Sequence, residues 1–153
     1  MVDGDVKTLR AHSSGPETEV VRWEAMSKMF ASFQKLTDAV TARYGAQANL
    51  SKMFKRPDFA KIGDDDKIEV TGADATLTSE GAKSPMKLKK DAGQWKVVLA
   101  SFPEAAKLEP KQMNPIAEAV STTADEIKDG QHATFNDAMK ALTAKMSKAK
   151  SGQ

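Results

Sequence analysis

Apolar positions recur at helical spacing up to about residue 56, alternate at strand spacing from 67 to 99, and return to helical spacing from 115 to 146. Residues 3–11 read as a short helical turn, with Asp3 or Asp5 as its cap and Val6 and Leu9 on one face. His12-Ser13-Ser14-Gly15 breaks it. The strongest helix of the chain then runs from Pro16 to Gly45. A first-turn proline is tolerated, Glu17 and Glu19 suit the positive end of the helix dipole, and Gly45 is a stop. Its stripe is Trp23, Met26, Phe30, Phe33, Val40 and Tyr44, with Thr37 in the one gap and Met29 and Leu36 broadening it. A further short helix is expected over 46–56 through Leu50, Met53 and Phe54, closed by Pro57.

Beyond it the period changes to two. Ile68-Glu69-Val70, Ala75-Thr76-Leu77-Thr78, Met86-Lys87-Leu88-Lys89 and Trp95-Lys96-Val97-Val98-Leu99 are separated by turn residues, which predicts a four-stranded antiparallel meander. On its pleat Ile68, Val70, Ala75, Leu77, Met86, Leu88, Trp95, Val97 and Leu99 share one face, expected to be buried, while Glu69, Thr76, Lys87, Lys89 and Lys96 take the other. Val98 on the second face of the last strand suggests that something covers part of that side. Asn114-Pro115 then opens a helix carrying Ile116, Val120, Ala124 and Ile127 and closing at Gly130. A last helix starts at Thr134, with Asp137 in the capping-box position and Phe135, Met139, Leu142 and Met146 on its face. The fold class is therefore α+β: N-terminal helices packed on a four-stranded antiparallel meander, followed by two C-terminal helices. Residues 1–153 are expected to form one domain, with helices and sheet over 3–100 and a helical extension over 115–147.

Composition narrows the function classes. At 153 residues the chain suits one hydrophobic core. A net charge of +2 argues against nucleic acid or an anionic membrane as partner, although the basic surplus lies in the second half: eleven basic and thirteen acidic residues occupy 1–82, twelve and eight occupy 83–153. Without cysteine there is no disulfide and no thiol chemistry. No stretch approaches the length of an apolar membrane span, and the opening residues lack the pattern of a signal peptide.

Candidate chemistry is sparse. His12 and His132 lie in expected loops without a carboxylate at ligand spacing, so both are read as solvent-exposed. Asp64-Asp65-Asp66 lacks the alternating ligands of a calcium loop and reads as a solvated turn. Lys83, Lys87, Lys89, Lys90 and Lys96 around Trp95 could be drawn as a base-stacking face, but Trp95 falls opposite Lys96 and is assigned to the core, leaving the lysines alone. No phosphate loop, nucleophile elbow or metalloprotease motif is present. No cofactor and no metal is expected.

The order of elements, with Gly72-Ala73-Asp74-Ala75-Thr76 opening a strand and Asp91-Ala92-Gly93-Gln94-Trp95-Lys96-Val97 closing the meander, resembles the cystatin-like cone of the nuclear transport factor 2-like superfamily, in its small bacterial SnoaL-like branch. The resemblance spans roughly residues 3–100 and implies a bacterial protein, exported if a signal peptide precedes this segment. It also implies a cone lined by Trp23, Met26, Phe30, Phe33, Tyr44 and Trp95, a set that suits plain core better than a ligand site. Enzymes of that family set aspartate with histidine or tyrosine inside the cone, whereas the inward candidates here are almost all apolar. The expected function is thus a non-catalytic accessory or binding domain for an apolar small molecule or a protein partner. The alternative is a SnoaL-like isomerase or hydrolase. The C-terminal helices are expected to pack on the domain or on a second copy, as a homodimer.

Overall fold

Pro16 accepts hydrogen bonds at its carbonyl from the Glu19 and Val20 amides (2.9 and 3.1 Å), and so starts the longest helix of the chain. The computed structural model describes residues 6–45, 48, 50, 66–79, 85–101 and 109–151. Its elements are α1 (Val6–His12), β1 (Ser13–Ser14), α2 (Glu17–Tyr44), β2 (Lys67–Thr71), β3 (Asp74–Thr78), β4 (Met86–Asp91), β5 (Gln94–Val98), a 3-10 turn (Leu99–Ser101), α3 (Pro110–Lys128) and α4 (Phe135–Ser151). The chain is α+β. Met53 and Phe54 of the expected 46–56 helix, Asp64, Asp65 and Lys83 lie outside the described residues.

The chain divides into two compact units. One comprises Asp5–Glu24 and Pro57–Leu108, the other Ala25–Arg56 and Glu109–Gln153.

The first unit is built on the sheet. Its strand order is β1-β5-β4-β3-β2, so the expected four-stranded antiparallel meander gains a fifth, parallel strand: Ser13 and Ser14 pair with Val97 and Val98. A two-residue strand of serines has no apolar alternation, and so reads as a break in sequence. Ala92 and Gly93, both at positive φ (48° and 82°), form the tight turn whose twist matches the strands it joins. Cross-strand partners fix the faces. Ile68 faces Leu77 and Leu77 faces Met86; Val70, Ala75, Leu88 and Val97 form the next row; Trp95 faces Lys90. The expected apolar residues of the strands do share one face. They are not uniformly buried. Ala75, Leu77 and, beyond β5, Leu99 are covered, whereas Ile68 and Val70 are 61% and 60% exposed and Trp95 37%. Alternation says which way a side chain points, not whether another layer lies over it. Among the described residues Leu9 of α1 and Val20 of α2 are also buried, and Arg10 ties the two helices by ion pairs to Glu17 (2.9 Å) and Glu24.

The second unit is helical. Leu36, Ala39 and Val40 of α2 meet Val120, Ala124 and Ile127 of α3, Ala138 and Leu142 of α4, and Leu50 in one core. The C-terminal helices are thus part of a core shared with α2. The most buried line of α2 runs through Leu36 and Val40, with Phe33 and Tyr44 half-buried beside it, so the seam is turned toward the position that the stripe treats as its margin. α3 begins at Pro110 rather than Asn114, because Glu109 and Gln112 form a reciprocal capping box, and Pro115 falls inside the helix. Gly130, at φ 75°, supplies the left-handed residue that ends α3, with its amide donating to Ile127 and that of Gln131 to Glu126. Thr134 caps α4 as expected, accepting the Asp137 amide at 3.2 Å.

Candidate functional site

Two places gather functional side chains: the loop between α3 and α4, and the open border of the sheet. In the loop, the turn at Gly130 folds His132 back over the last turn of α3, and its Nε2 stands 3.1 Å from Glu126 Oε2. The same oxygen accepts from Lys145 of α4. Tyr44 donates its hydroxyl to the His132 carbonyl at 2.9 Å and meets Phe135 edge-on, ring centres 6.1 Å apart. Hydrogen bonding from Lys145, helped by His132 and opposed by burial, holds the Glu126 carboxyl below its ordinary range. The reading of His132 as exposed and partnerless is therefore corrected: Glu126 lies six residues before it, and a left-handed glycine between them brings them together. No helical or strand spacing carries that signal. Chemically the group is closed, because one carboxylate oxygen meets both the Lys145 ammonium and the His132 ring nitrogen, and the tyrosine hydroxyl is spent on a backbone carbonyl. It joins three helices and offers no idle acid or base.

The sheet border is different. Along β2 the side chains of Ile68 and Val70 stand on the apolar face with nothing covering most of their surface. At the hairpin end of the same face Lys90 sits over the Trp95 ring, 5.8 Å from its centre. The expectation that the lysines stand apart from the tryptophan is corrected for Lys90, which is in register with it; Lys96 does lie on the other face, paired to Asp91 at 2.6 Å. That pair, chiefly through the hydrogen bond, lowers the Asp91 carboxyl.

No protein-family model, curated protein or solved structure matches the chain.

Of the six lining candidates, Trp23 and Trp95 belong to the first unit, and Met26, Phe30, Phe33 and Tyr44 to the second. Phe33 and Tyr44 each pack against the helical core, about three turns apart on α2; Met26 is buried and Phe30 and Trp23 are half-buried. Among the described residues there is no cluster of three metal-ligating side chains, and no helix is long and apolar enough to cross a membrane. A hollow along α4, lined by Asn136, Met139, Lys140, Thr143 and Ala144, is wide open and formed by one helix face. The sheet border thus remains as the surface that solvent alone does not explain. A lone exposed apolar residue, as Trp95 is on β5, is ordinary; two large ones side by side on the face of an edge strand, as Ile68 and Val70 are, form a patch.

Proposed function

We propose that this chain is a non-catalytic binding domain that docks a protein partner on the apolar face of its sheet, at the open border through Ile68 and Val70 of β2, with Trp95 of β5 exposed on the same face three strands away. The observation that carries this reading is that, of the four large apolar side chains exposed among the described residues, Ile68, Val70 and Trp95 lie on one face of one sheet, the first two side by side on its edge strand. Apolar surface of that kind gains by being covered, at about 25 cal/mol per Å². Aromatic side chains with a cation beside them are enriched at such contacts. The polar groups described above satisfy one another, which favours binding over turnover. The cystatin-like cone enters as a proposal for the scaffold, supported by a long helix followed by the β2–β5 meander and by the tight Ala92-Gly93 turn that precedes Trp95.

The test is site-specific cross-linking in extract of the source cells. A photoreactive residue replacing Val70 should trap a discrete protein, one replacing the exposed helical residue Glu118 should not, and Ile68→Ser with Trp95→Ala should abolish the product. Equal trapping at both positions refutes the docking surface. A bound apolar small molecule in native mass spectra, with no trapped protein, replaces this reading by the small-molecule one.

A further inference from the structure

β2 ends the strand order, with β3 as its neighbour among the described residues, and all five of its residues are exposed. An edge strand presents a row of unpaired backbone donors and acceptors, which proteins blunt with proline, a bulge, short length or charged side chains. Lys67-Ile68-Glu69-Val70-Thr71 has no proline and no bulge, and its two charges, Lys67 and Glu69, deter a foreign strand unless their partners are opposite in sign. Its pairing with β3 is regular over all five residues, and both charges lie on the polar face, opposite Ile68 and Val70. The edge is available, and its side chains decide what fits it.

We propose that two copies of this chain pair through β2, antiparallel about a two-fold axis centred on Ile68. The proposal rests on the docking reading above and names the first occupant of that border. In a two-fold antiparallel pair each contact occurs twice, and residues of like parity face one another, so the apolar faces stay on one side. Three registers keep most of β2 paired. Centring on Glu69 sets Glu69 against Glu69 of the second copy, and directly opposed like charges are destabilising. Centring on Val70 carries Ile68 past the strand end, onto Gly72, and forms no charge pair. Centring on Ile68 carries Val70 past the strand end, onto Asp66, but sets Lys67 against Glu69 of the second copy and Glu69 against its Lys67, two opposite-charge pairs flanking an Ile68–Ile68 contact. The row Met86–Leu77–Ile68 then continues across the axis into the same row of the second copy. The sheets of the two copies become one, with an unbroken apolar row on one face and a charge-matched one on the other. So short a ladder buries less than a standard interface, so the dimer is a weak one, and Trp95 at the hairpin end stays open for a further partner.

Sedimentation of the full chain over a wide concentration series at low salt tests this. Association should be concentration-dependent, and Lys67→Glu and Glu69→Lys should each weaken it by roughly tenfold or more, since both symmetric pairs turn repulsive. An equimolar mixture of the two variants should associate again, because every glutamate then faces a lysine. Matched melting curves confirm that the exposed substitutions leave the fold intact. Hydrogen exchange gives an independent measure: β2 amides of the unaltered chain should gain protection as concentration rises. A monomer at every concentration, or a dimer indifferent to both reversals, overturns the proposal. Cross-linking of a foreign protein at position 70 that persists in the monomeric variants leaves the docking reading standing without the dimer; its loss in a chain that still dimerises overturns only the docking reading.

Discussion

Two isoleucines give a direct measure of how differently the chain covers its apolar residues. Ile127 is fully buried in the helical core among Leu36, Val40, Val120 and Leu142, while Ile68 on β2 is 61% exposed. Ile→Ala removes the same three carbons at both sites. At Ile127 the loss includes the transfer energy of those carbons and the unfilled cavity left behind, about 2–5 kcal/mol. At Ile68 solvent already reaches most of the side chain and no cavity forms, so the cost stays below about 1 kcal/mol, mostly strand preference. With a midpoint shift of roughly 2–4 °C per kcal/mol for a chain of this size, Ile127→Ala should melt several degrees or more below the parent and Ile68→Ala within a few degrees of it. Far-UV circular dichroism at low protein concentration reads both, and calorimetry checks whether one transition or two must be fitted. Equal losses at the two sites would mean that Ile68 is covered in solution, which removes the basis for the docking surface as well as for the burial argument.

Two further outcomes follow from local chemistry. The folded chain holds the Glu126 proton less tightly than the unfolded chain, so the stability this carboxylate contributes is fully present above the ordinary value of 4.5 and is lost as pH falls through the lower folded value. Glu126→Gln should therefore destabilise at neutral pH, with the gap closing in acid; a gap independent of pH would show that the carboxylate charge contributes nothing. Pro115 sits inside α3 without an amide to give to the helix, so Pro115→Ala should stabilise the chain by about 1 kcal/mol or more, and an unchanged or lower melting midpoint would mean that the ring packs in a way alanine cannot replace.

The strand faces were legible because a period of two leaves no freedom once Ile68, Leu77 and Met86 are aligned. Their burial was not, because covering a face is decided by residues far away in sequence. The start of α3 was obscured by two competing signals, Glu109-Pro110 and Asn114-Pro115: asparagine is the better isolated cap, but the reciprocal bond with Gln112 favours glutamate. β1 escaped because two serines acquire strand geometry only from the neighbour they pair with. The contact of His132 with Glu126 depends on the path of the chain around Gly130, and that of Lys145 with the same carboxylate on the packing of α4 against α3. Neither has a fixed spacing to search for.

The position of Trp95 also makes the protein its own optical indicator. An indole that meets water along one side and an ammonium group above its ring emits at long wavelength and is open to collisional quenchers. Covering the hairpin end of the sheet would shift that emission to the blue and shield it, whereas contacts confined to the helical unit would leave it unchanged. The other emitter, Trp23, is half-buried on α2, so a Trp23→Phe chain carries a single reporter at the hairpin end of the apolar sheet face, and any covering of that end can be followed without attaching a dye.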